Sequence, residues 1–166
     1  MIDWQADVDA YRDFIDRKSG NAEFNIVEGV SEFNRKLVDH ASQFYQGVPV
    51  LEVLKICDGQ FENSQPIFFN EYWLLPQHDI LDYIEIGDEF HGIILTEGIS
   101  SEVKRRIWHH SWFPLCIDGF GDKICIDFDP TEKGTMGQII KVLHDSSGHK
   151  KLASSLREFL VLAESS

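Results

Sequence analysis

The sequence has few cysteines and no long apolar run. Its three cysteines are Cys57, Cys116 and Cys125, an odd number without the spacing of a disulfide framework, which favours a reduced, cytoplasmic protein. No apolar stretch approaches the ~18–20 residues that a membrane-spanning helix needs. No N-terminal apolar segment follows a basic one either, so we expect neither a membrane span nor a signal peptide.

Basic residues are scarce relative to acidic ones. There are 15 Lys and Arg against 28 Asp and Glu, a formal net charge of −13. Such a field repels nucleic acid and anionic membranes, so neither is an expected partner. It favours encounter with a basic protein, although solubility alone explains the charge equally well. A chain of 166 residues, 43% of them hydrophobic, predicts a single domain over residues 1–166.

The usual enzymatic signatures are also missing. The sequence contains no phosphate loop, dinucleotide fingerprint, nucleophile elbow or zinc-type Cys/His spacing. Cys57 is followed by Asp58, a carboxylate that would raise the pKa of the thiol. His144 is followed by Asp145, but neighbours in a strand seldom form the hydrogen bond of a catalytic pair. We therefore predict no catalytic residue, metal or cofactor, and a hydrolase using Cys57 or His144 is the least favoured hypothesis.

Helix and strand patterns alternate along the chain in a way that indicates the α+β class. Asp3 suits the N-cap of a first helix, and Ser155 with Glu158 has the spacing of a capping box before a last one. Helix and strand patterns compete over 100–108. The predicted helices are 3–20, one from about residue 31, one from Pro49 to a stop at Gly59, and the C-terminal one; the predicted strands are 67–75, 90–95 and 137–145.

The densest acidic segment is 79–89, which also has an apolar side and therefore predicts an amphipathic element. We predict that its carboxylates, with one from an earlier loop, bind a partner, while a merely solvated face is an equally good interpretation. The predicted partner-binding residues are Glu62, Asp79, Asp82, Glu85, Asp88 and Glu89.

The stretch 112–130, "WFPLCIDGFGDKICIDFDP", holds four aspartates and predicts a hairpin with a two-residue turn at Phe120–Gly121. Opposed strand residues share a face. This register therefore sets Phe113 opposite Phe128 and gathers the apolar residues on one side, with Cys116, Cys125 and Asp127 on a polar side. The spacing does not match a calcium loop, in which oxygen ligands alternate.

A further pattern is spread over the second half of the chain. Its residues are Trp112, Phe113, Pro114, Asp118, Gly119, Gly121, Asp127, Pro130, Gly134, Gly137 and Gln138. This pattern resembles the SUKH superfamily, which includes a fungal cell-wall assembly regulator and many bacterial immunity proteins. The resemblance is clearest over 50–162, and it implies an α+β domain with a mixed, strongly bent sheet, a C-terminal antiparallel meander and flanking helices. It also implies protein binding without enzymatic activity.

The resemblance leaves two functions in competition. The first is a cytoplasmic immunity protein that neutralises a cognate toxin domain, often a nuclease and therefore basic. The second is an adaptor or regulator of cell-wall or envelope synthesis. An acidic binder would be steered towards a basic toxin by its charge, which favours the immunity hypothesis.

Overall fold

The computed structural model describes residues 3–46, 49–90, 92–95, 98–145 and 148–165. Within these ranges the chain forms helices at both ends and strands between them, so the predicted α+β class is confirmed. In chain order the elements are α1 (Trp4–Ser19), a 3-10 turn (Ala22–Phe24), β1 (Ile26–Glu28), α2 (Arg35–Phe44), α3 (Pro49–Ile56), β2 (Cys57–Gln60), β3 (Trp73–Leu74), α4 (Gln77–Phe90), β4 (Trp112–Ile117), β5 (Lys123–Asp127), β6 (Gln138–Val142), β7 (Lys150–Ala153) and α5 (Leu156–Ser165).

The first and last helices begin where the sequence predicts. The Asp3 carboxylate accepts a hydrogen bond from the Ala6 N–H at 3.0 Å, which satisfies a free donor of the first turn of α1. At α5 the Ser155 hydroxyl accepts from the Glu158 N–H at 3.1 Å, while the Glu158 carboxylate accepts from the Ser154 N–H at 3.0 Å. Both caps use contacts between near neighbours in sequence, which is why local patterns reveal them.

The strands form two antiparallel sheets. The larger has the order β3-β4-β5-β6-β7, and the smaller pairs β1 with β2. Every strand pair in the described ranges is antiparallel, so the implied mixed sheet is corrected to two antiparallel ones. Consecutive strands of the meander from β4 onwards follow one another without a helix between them, and a parallel pair would need such a crossover.

The central hairpin, β4–β5, differs from the predicted register. Its loop has three residues, 119–121, because Asp118 pairs with Asp122 through a 3.0 Å backbone hydrogen bond. The Asp118 carboxylate accepts from the N–H groups of Phe120 and Asp122, at 2.8 and 2.9 Å, which holds the loop in this form. A bulge between Pro114 and Cys116 then shifts the pairing again. The result sets Phe113 opposite Ile126 instead of Phe128.

Both faces of the large sheet are buried, so the predicted polar face is wrong. One face packs against the helices. The other is covered by the segment that precedes β4, whose Val103 and Trp108 pack on Cys125 and Ile140. Asp127, which we expected on a solvated face, is fully buried. The sheet is therefore the middle of three layers.

Several predicted elements have other boundaries. The helix from Pro49 ends at Ile56, and the next four residues form β2. The predicted strand 67–75 is a tight turn followed by the short β3, because Phe69 and Asn70 have positive φ angles of 54° and 58°. The segment 100–108 is neither helix nor strand, apart from one bridge between Arg106 and Ile94.

Two further differences concern strands. The predicted strand 90–95 is not one: Phe90 ends α4, Ile94 lies in the isolated bridge, and residue 91 lies outside the described residues. Strand β7, which the sequence analysis did not predict, pairs with β6 and completes the meander. The strand predicted over 137–145 is confirmed as β6.

We predict that Gly87→Ala lowers the free energy of unfolding by about 1–3 kcal/mol, because overpacking a filled contact costs this much. A Cβ at Gly87 would lie 2.1 Å from Trp108 Cδ1, so the indole or α4 must move. Urea unfolding monitored by circular dichroism measures the effect. Gly119→Ala is the matched control, since nothing lies within 4 Å of its Cβ position. A Gly87→Ala midpoint at or above that of the wild type would contradict this packing.

Candidate partner-binding surface

The acidic segment forms the outer side of α4. Ile80, Ile84 and Gly87 are buried on its inner side, where they face the body of the protein. The Asp58 carboxylate accepts a 2.6 Å hydrogen bond from the Gln77 N–H and so fixes the start of the helix. The predicted carboxylates Asp82, Glu85, Asp88 and Glu89 are exposed, and Asp79 is half-buried. Five of the six predicted binding residues therefore share one helix.

Three of these carboxylates, Asp79, Glu85 and Asp88, already lie beside basic groups. Lys36 Nζ is 2.9 Å from Glu85, and this hydrogen bond raises the pKa of Lys36. His110 Nδ1 is 3.1 Å from Asp88. The Lys36–Glu85 pair is exposed, and an exposed pair contributes little to stability.

The other two carboxylates of α4, Asp82 and Glu89, have no such neighbour. Asp82 and Glu89 form no ion pair within the ranges that the structure describes. His78 Nε2 lies 3.3 Å from Asp79, at the start of the helix. The unpaired negative charge of α4 is therefore concentrated on Asp82 and Glu89.

An apolar groove of ≈ 260 Å³ runs along one flank of this acidic side. From α4 it is lined by Tyr83, Ile86 and Phe90, and across from them lie Trp108 and Val142. Ile86 is 52% exposed although it is a large aliphatic residue. Gly87 lets the Trp108 indole approach α4 closely, which forms the floor of the groove.

The basic groups in the groove are engaged within the protein. Lys123 Nζ lies 4.3 Å from the centroid of the Tyr83 ring and donates a 3.1 Å hydrogen bond to the Gly121 carbonyl. Burial lowers the pKa of Lys123. At the end of the groove His144 Nδ1 is 2.6 Å from an Asp122 carboxylate oxygen, and this hydrogen bond raises the pKa of His144. Neither cation is presented to a partner without a counter-group.

Exposed apolar residues continue from the groove beyond the end of α4. Ile93 donates its N–H to the Phe90 carbonyl at 3.1 Å, so the chain stays close to the helix as it turns. Ile94, the next residue, is 62% exposed. Ile86, Phe90, Ile93 and Ile94, together with the acidic side of α4, are called the α4 surface below. An apolar centre with a charged rim is the usual composition of a protein interface.

Glu62 lies elsewhere. It is in the turn after β2, where the Phe61 N–H donates a 2.9 Å hydrogen bond to the Asn25 carbonyl. In the described part of the chain no hydrogen bond or ion pair connects this turn with α4. The order of motifs along the sequence suggested that Glu62 is near the acidic helix, but the structure does not bring them together.

Two of the residues that carry the family pattern, Asp127 and Gln138, form a buried polar network. Asp127 and Gln138 are fully buried. The Asp127 carboxylate accepts from the Asp129 N–H and from the Gln138 amide, each at 2.9 Å. The same amide group donates to the Glu102 carbonyl at 2.9 Å and accepts from the Thr135 N–H at 3.1 Å. Burial raises the pKa of Asp127 to about 6.

Three further pattern residues fit close contacts. A Cβ at Gly134 would lie 2.6 Å from the Glu102 carbonyl oxygen, and Gly137 has a φ of 83° beside the Trp4 ring. Trp112 is fully buried between Trp108, Cys125 and Ile140. Gly134, Gly137 and Trp112 therefore pack tightly inside the protein.

The sequence analysis missed His149, which is fully buried and links three segments. Its Nδ1 accepts from the Leu143 N–H at 3.1 Å, and its Nε2 lies 3.0 Å from the Arg106 carbonyl. Its ring also packs edge-on against Trp112, with 5.5 Å between the ring centroids. No local pattern around His149 signals this role, because its partners are distant in sequence.

Cys57, one of the two residues considered for catalysis, is poorly placed for it. Cys57 is buried, its thiol donates to the Gly59 carbonyl at 3.1 Å, and burial raises its pKa to about 12. A thiol with this pKa is protonated at neutral pH and is a poor nucleophile. Among the described residues no group of three or more His, Cys, Asp and Glu side chains is placed to hold a metal ion. No helix in these ranges is both long and apolar enough to cross a bilayer.

Fold and surface together define an α+β domain with a five-stranded antiparallel meander and an acidic, partly apolar helix on its exterior. The sequence model of the SMI1 / KNR4 family (SUKH-1) matches residues 48–161, and the chain belongs to this family. Membership is consistent with an immunity role or with regulation of cell-wall assembly, and the family is generally non-catalytic. No curated protein matches the chain.

We predict that the Asp127 carboxyl makes stability fall as pH rises from about 4 to about 6. Its pKa is about 6 in the folded protein, against an ordinary value of 3.8. The folded state therefore binds this proton more tightly than the unfolded state, and the resulting gain in stability is lost as the pH rises through the folded pKa. The pKa difference corresponds to a change of at most about 3 kcal/mol in the free energy of unfolding. Urea unfolding across this pH range measures it.

Asp127→Asn is the matched variant, since it removes the titration but also weakens the bond from Gln138. We therefore expect it to be less stable at pH 4 and to lose the Asp127 part of the pH dependence. The informative quantity is the wild-type minus variant difference, which cancels the other carboxylates. A difference that stays constant between pH 4 and 7 would contradict the raised pKa.

Proposed function

We propose that this chain is an immunity protein that binds a basic toxin domain through the α4 surface and so blocks it. The observation that supports the proposal is the arrangement of α4, where unpaired carboxylates adjoin exposed apolar side chains. A solvated helix needs only the carboxylates. Exposure of the apolar residues beside them to water is unfavourable, and burial against a partner would remove it.

The charge of the protein supports a basic partner. The net charge is −13, and complementary charge speeds association and excludes wrong partners. A nuclease must attract phosphate and therefore has a basic active face. A carboxylate-rich helix laid on that face would compete with the nucleic acid for the same cations.

The apolar part of the α4 surface supplies what charge alone cannot. Rim charges act mainly on association rate, whereas buried apolar anchors slow dissociation. Ile86 and Phe90 lie one helical turn apart on the flank of the acidic side, which suits them as anchors. Blocking a toxin requires slow dissociation, so both parts of the surface are needed.

Regulation of cell-wall assembly is the second candidate. Exposed apolar residues on other elements favour it, since Phe120 at the hairpin tip is 81% exposed and Val161 on α5 is 69% exposed. Several separate apolar points suit a protein with several partners. They are isolated, however, and none adjoins a charged helix as Ile86 does.

The first test is affinity capture from the native host with the protein as bait, at low and then moderate salt. Recovery of one stoichiometric basic protein that carries a toxin domain would support the immunity proposal. The purified toxin domain is then assayed for its activity with increasing amounts of this protein. Full activity at a stoichiometric excess would contradict the proposal, as would recovery of several envelope-synthesis proteins instead.

We predict that Asp82→Lys with Glu89→Lys slows association with that toxin domain by about 10–100-fold at low salt, because steering charges act on the on-rate. Stopped-flow fluorescence or surface plasmon resonance measures the rate. The matched control is Asp13→Lys with Asp16→Lys, two exposed carboxylates on α1 that give the same change in net charge. Equal slowing in both variants would mean that net charge matters and the α4 surface does not.

We predict that Ile86→Ala weakens the same complex by about 5–30-fold in Kd, mostly through faster dissociation, as truncation of an interface anchor does. Val161→Ala is the control, an exposed aliphatic residue on another helix. Isothermal titration calorimetry measures both. An unchanged Kd for Ile86→Ala would place the toxin on another surface.

A further inference from the structure

A second groove lies on the opposite flank of the protein, between α5 and the last strands of the meander. Its volume is ≈ 550 Å³, which is the size of a small-molecule site. It shares no residue with the groove beside α4. Its lining includes Phe69, Tyr72, Lys141, Lys150, Leu152 and Leu162.

Two lysines are directly opposite each other on strands β6 and β7, which border this groove. Lys141 on β6 is directly opposite Lys150 on β7, so both side chains leave the same face of the sheet. Like charges in this position repel each other. Neither lysine forms an ion pair in the ranges that the structure describes, although acidic residues outnumber basic ones almost two to one. An anion placed between the two ammonium groups would remove the repulsion.

A tyrosine beside the lysines has an unused hydroxyl. Tyr72 is 2% exposed, and its buried hydroxyl has no hydrogen-bond partner among the residues that the structure describes. Lys141 Nζ lies 5.9 Å from the centroid of the Tyr72 ring. Burial and the charge of Asp118 raise the pKa of Tyr72, so the hydroxyl keeps its proton and can donate it in a hydrogen bond. A buried donor of this kind normally has an acceptor.

The rest of the groove is hydrocarbon. Leu152, Phe159 and Leu162 form its wall, and Leu162 is 43% exposed. Phe69 adds its ring from a turn in which its φ is 54°, a left-handed conformation that is unfavourable for a bulky residue. Strained backbone of this kind is found where a side chain must be held for binding.

We infer that this groove binds a small amphiphilic carboxylate, with its charged end between Lys141 and Lys150 and its hydrocarbon along Leu152 and Leu162. The Tyr72 hydroxyl supplies the hydrogen bond that fixes the charged end. Glu71 also lines the groove, and Asp118 and Asp122 lie close enough to act on Tyr72. A carboxylate carries a single negative charge, so these acidic neighbours repel it less than they would a phosphate monoester.

The test uses decanoate as the probe, below the concentration at which it forms micelles. Calorimetry gives its Kd, and methyl NMR shifts locate it. We expect shifts at Leu152 and Leu162 and none at Ile86. Because the protein's net charge repels anions, such binding has to come from local contacts. Decyltrimethylammonium, a cation with the same chain, should leave the methyl groups of this groove unshifted.

We expect Lys141→Met and Lys150→Met each to raise the Kd for decanoate by about tenfold, since each removes one charge-assisted contact. Tyr72→Phe should raise it by about fivefold through loss of the hydroxyl alone. Lys55→Met is the control, an exposed lysine on α3, and should leave the Kd unchanged. Thermal unfolding confirms that each variant is folded.

Two results would overturn the inference. One is the absence of shifts at Leu152 and Leu162 up to about 1 mM decanoate, a weaker affinity than a built site gives. The other is a wild-type Kd in both lysine variants, which would mean that the groove accepts hydrocarbon and does not recognise the carboxylate. Neither result bears on the α4 surface, which this inference does not use.

Discussion

The hydrogen bond from the Gln138 amide to the buried Asp127 carboxylate joins the end of the central hairpin to the next strand. The same amide binds the Glu102 carbonyl and the Thr135 N–H, so one side chain ties three segments together. Buried polar groups of this kind are costly unless every one is paired. The segment that Glu102 belongs to also covers the sheet through Val103 and Trp108. The position of α4 follows from it, since Gly87 rests on the Trp108 indole.

A sheet covered on both faces leaves few places where the protein can bind anything. The middle residues of β5 are fully buried, with Ile124 and Ile126 facing one layer and Cys125 facing the other. Binding is therefore left to the outer sides of helices, to loop tips and to the edges of the sheet. The α4 surface is of the first kind, and the groove between α5 and β7 lies at an edge. The buried interior fixes the backbone at both places, and a fixed backbone lowers the entropy cost of binding.

What the sequence predicts correctly depends on contacts between near neighbours. The caps at Asp3 and Ser155 and the acidic side of α4 follow from local spacing. The hairpin register does not, because the three-residue loop depends on the Asp118 hydrogen bonds and the bulge near Pro114 shifts it again. The burial of Asp127 depends on partners brought in by distant segments. The same holds for the groove beside α4, whose lining comes from four separate parts of the chain.

Net charge and local charge act over different distances in this protein. At an ionic strength of 0.1 M, fields from exposed charges fade over about 10 Å, so a net charge of −13 governs the approach of a partner but not its final contacts. Those contacts depend on the charged groups within a few ångströms. On α4 these include the Asp82 carboxylate, and in the groove beside α5 they include the ammonium groups of Lys141 and Lys150. Two cations can therefore lie side by side in an acidic protein when the backbone fixes their positions. The pairing of β6 with β7 does this, because it sets Lys141 directly opposite Lys150.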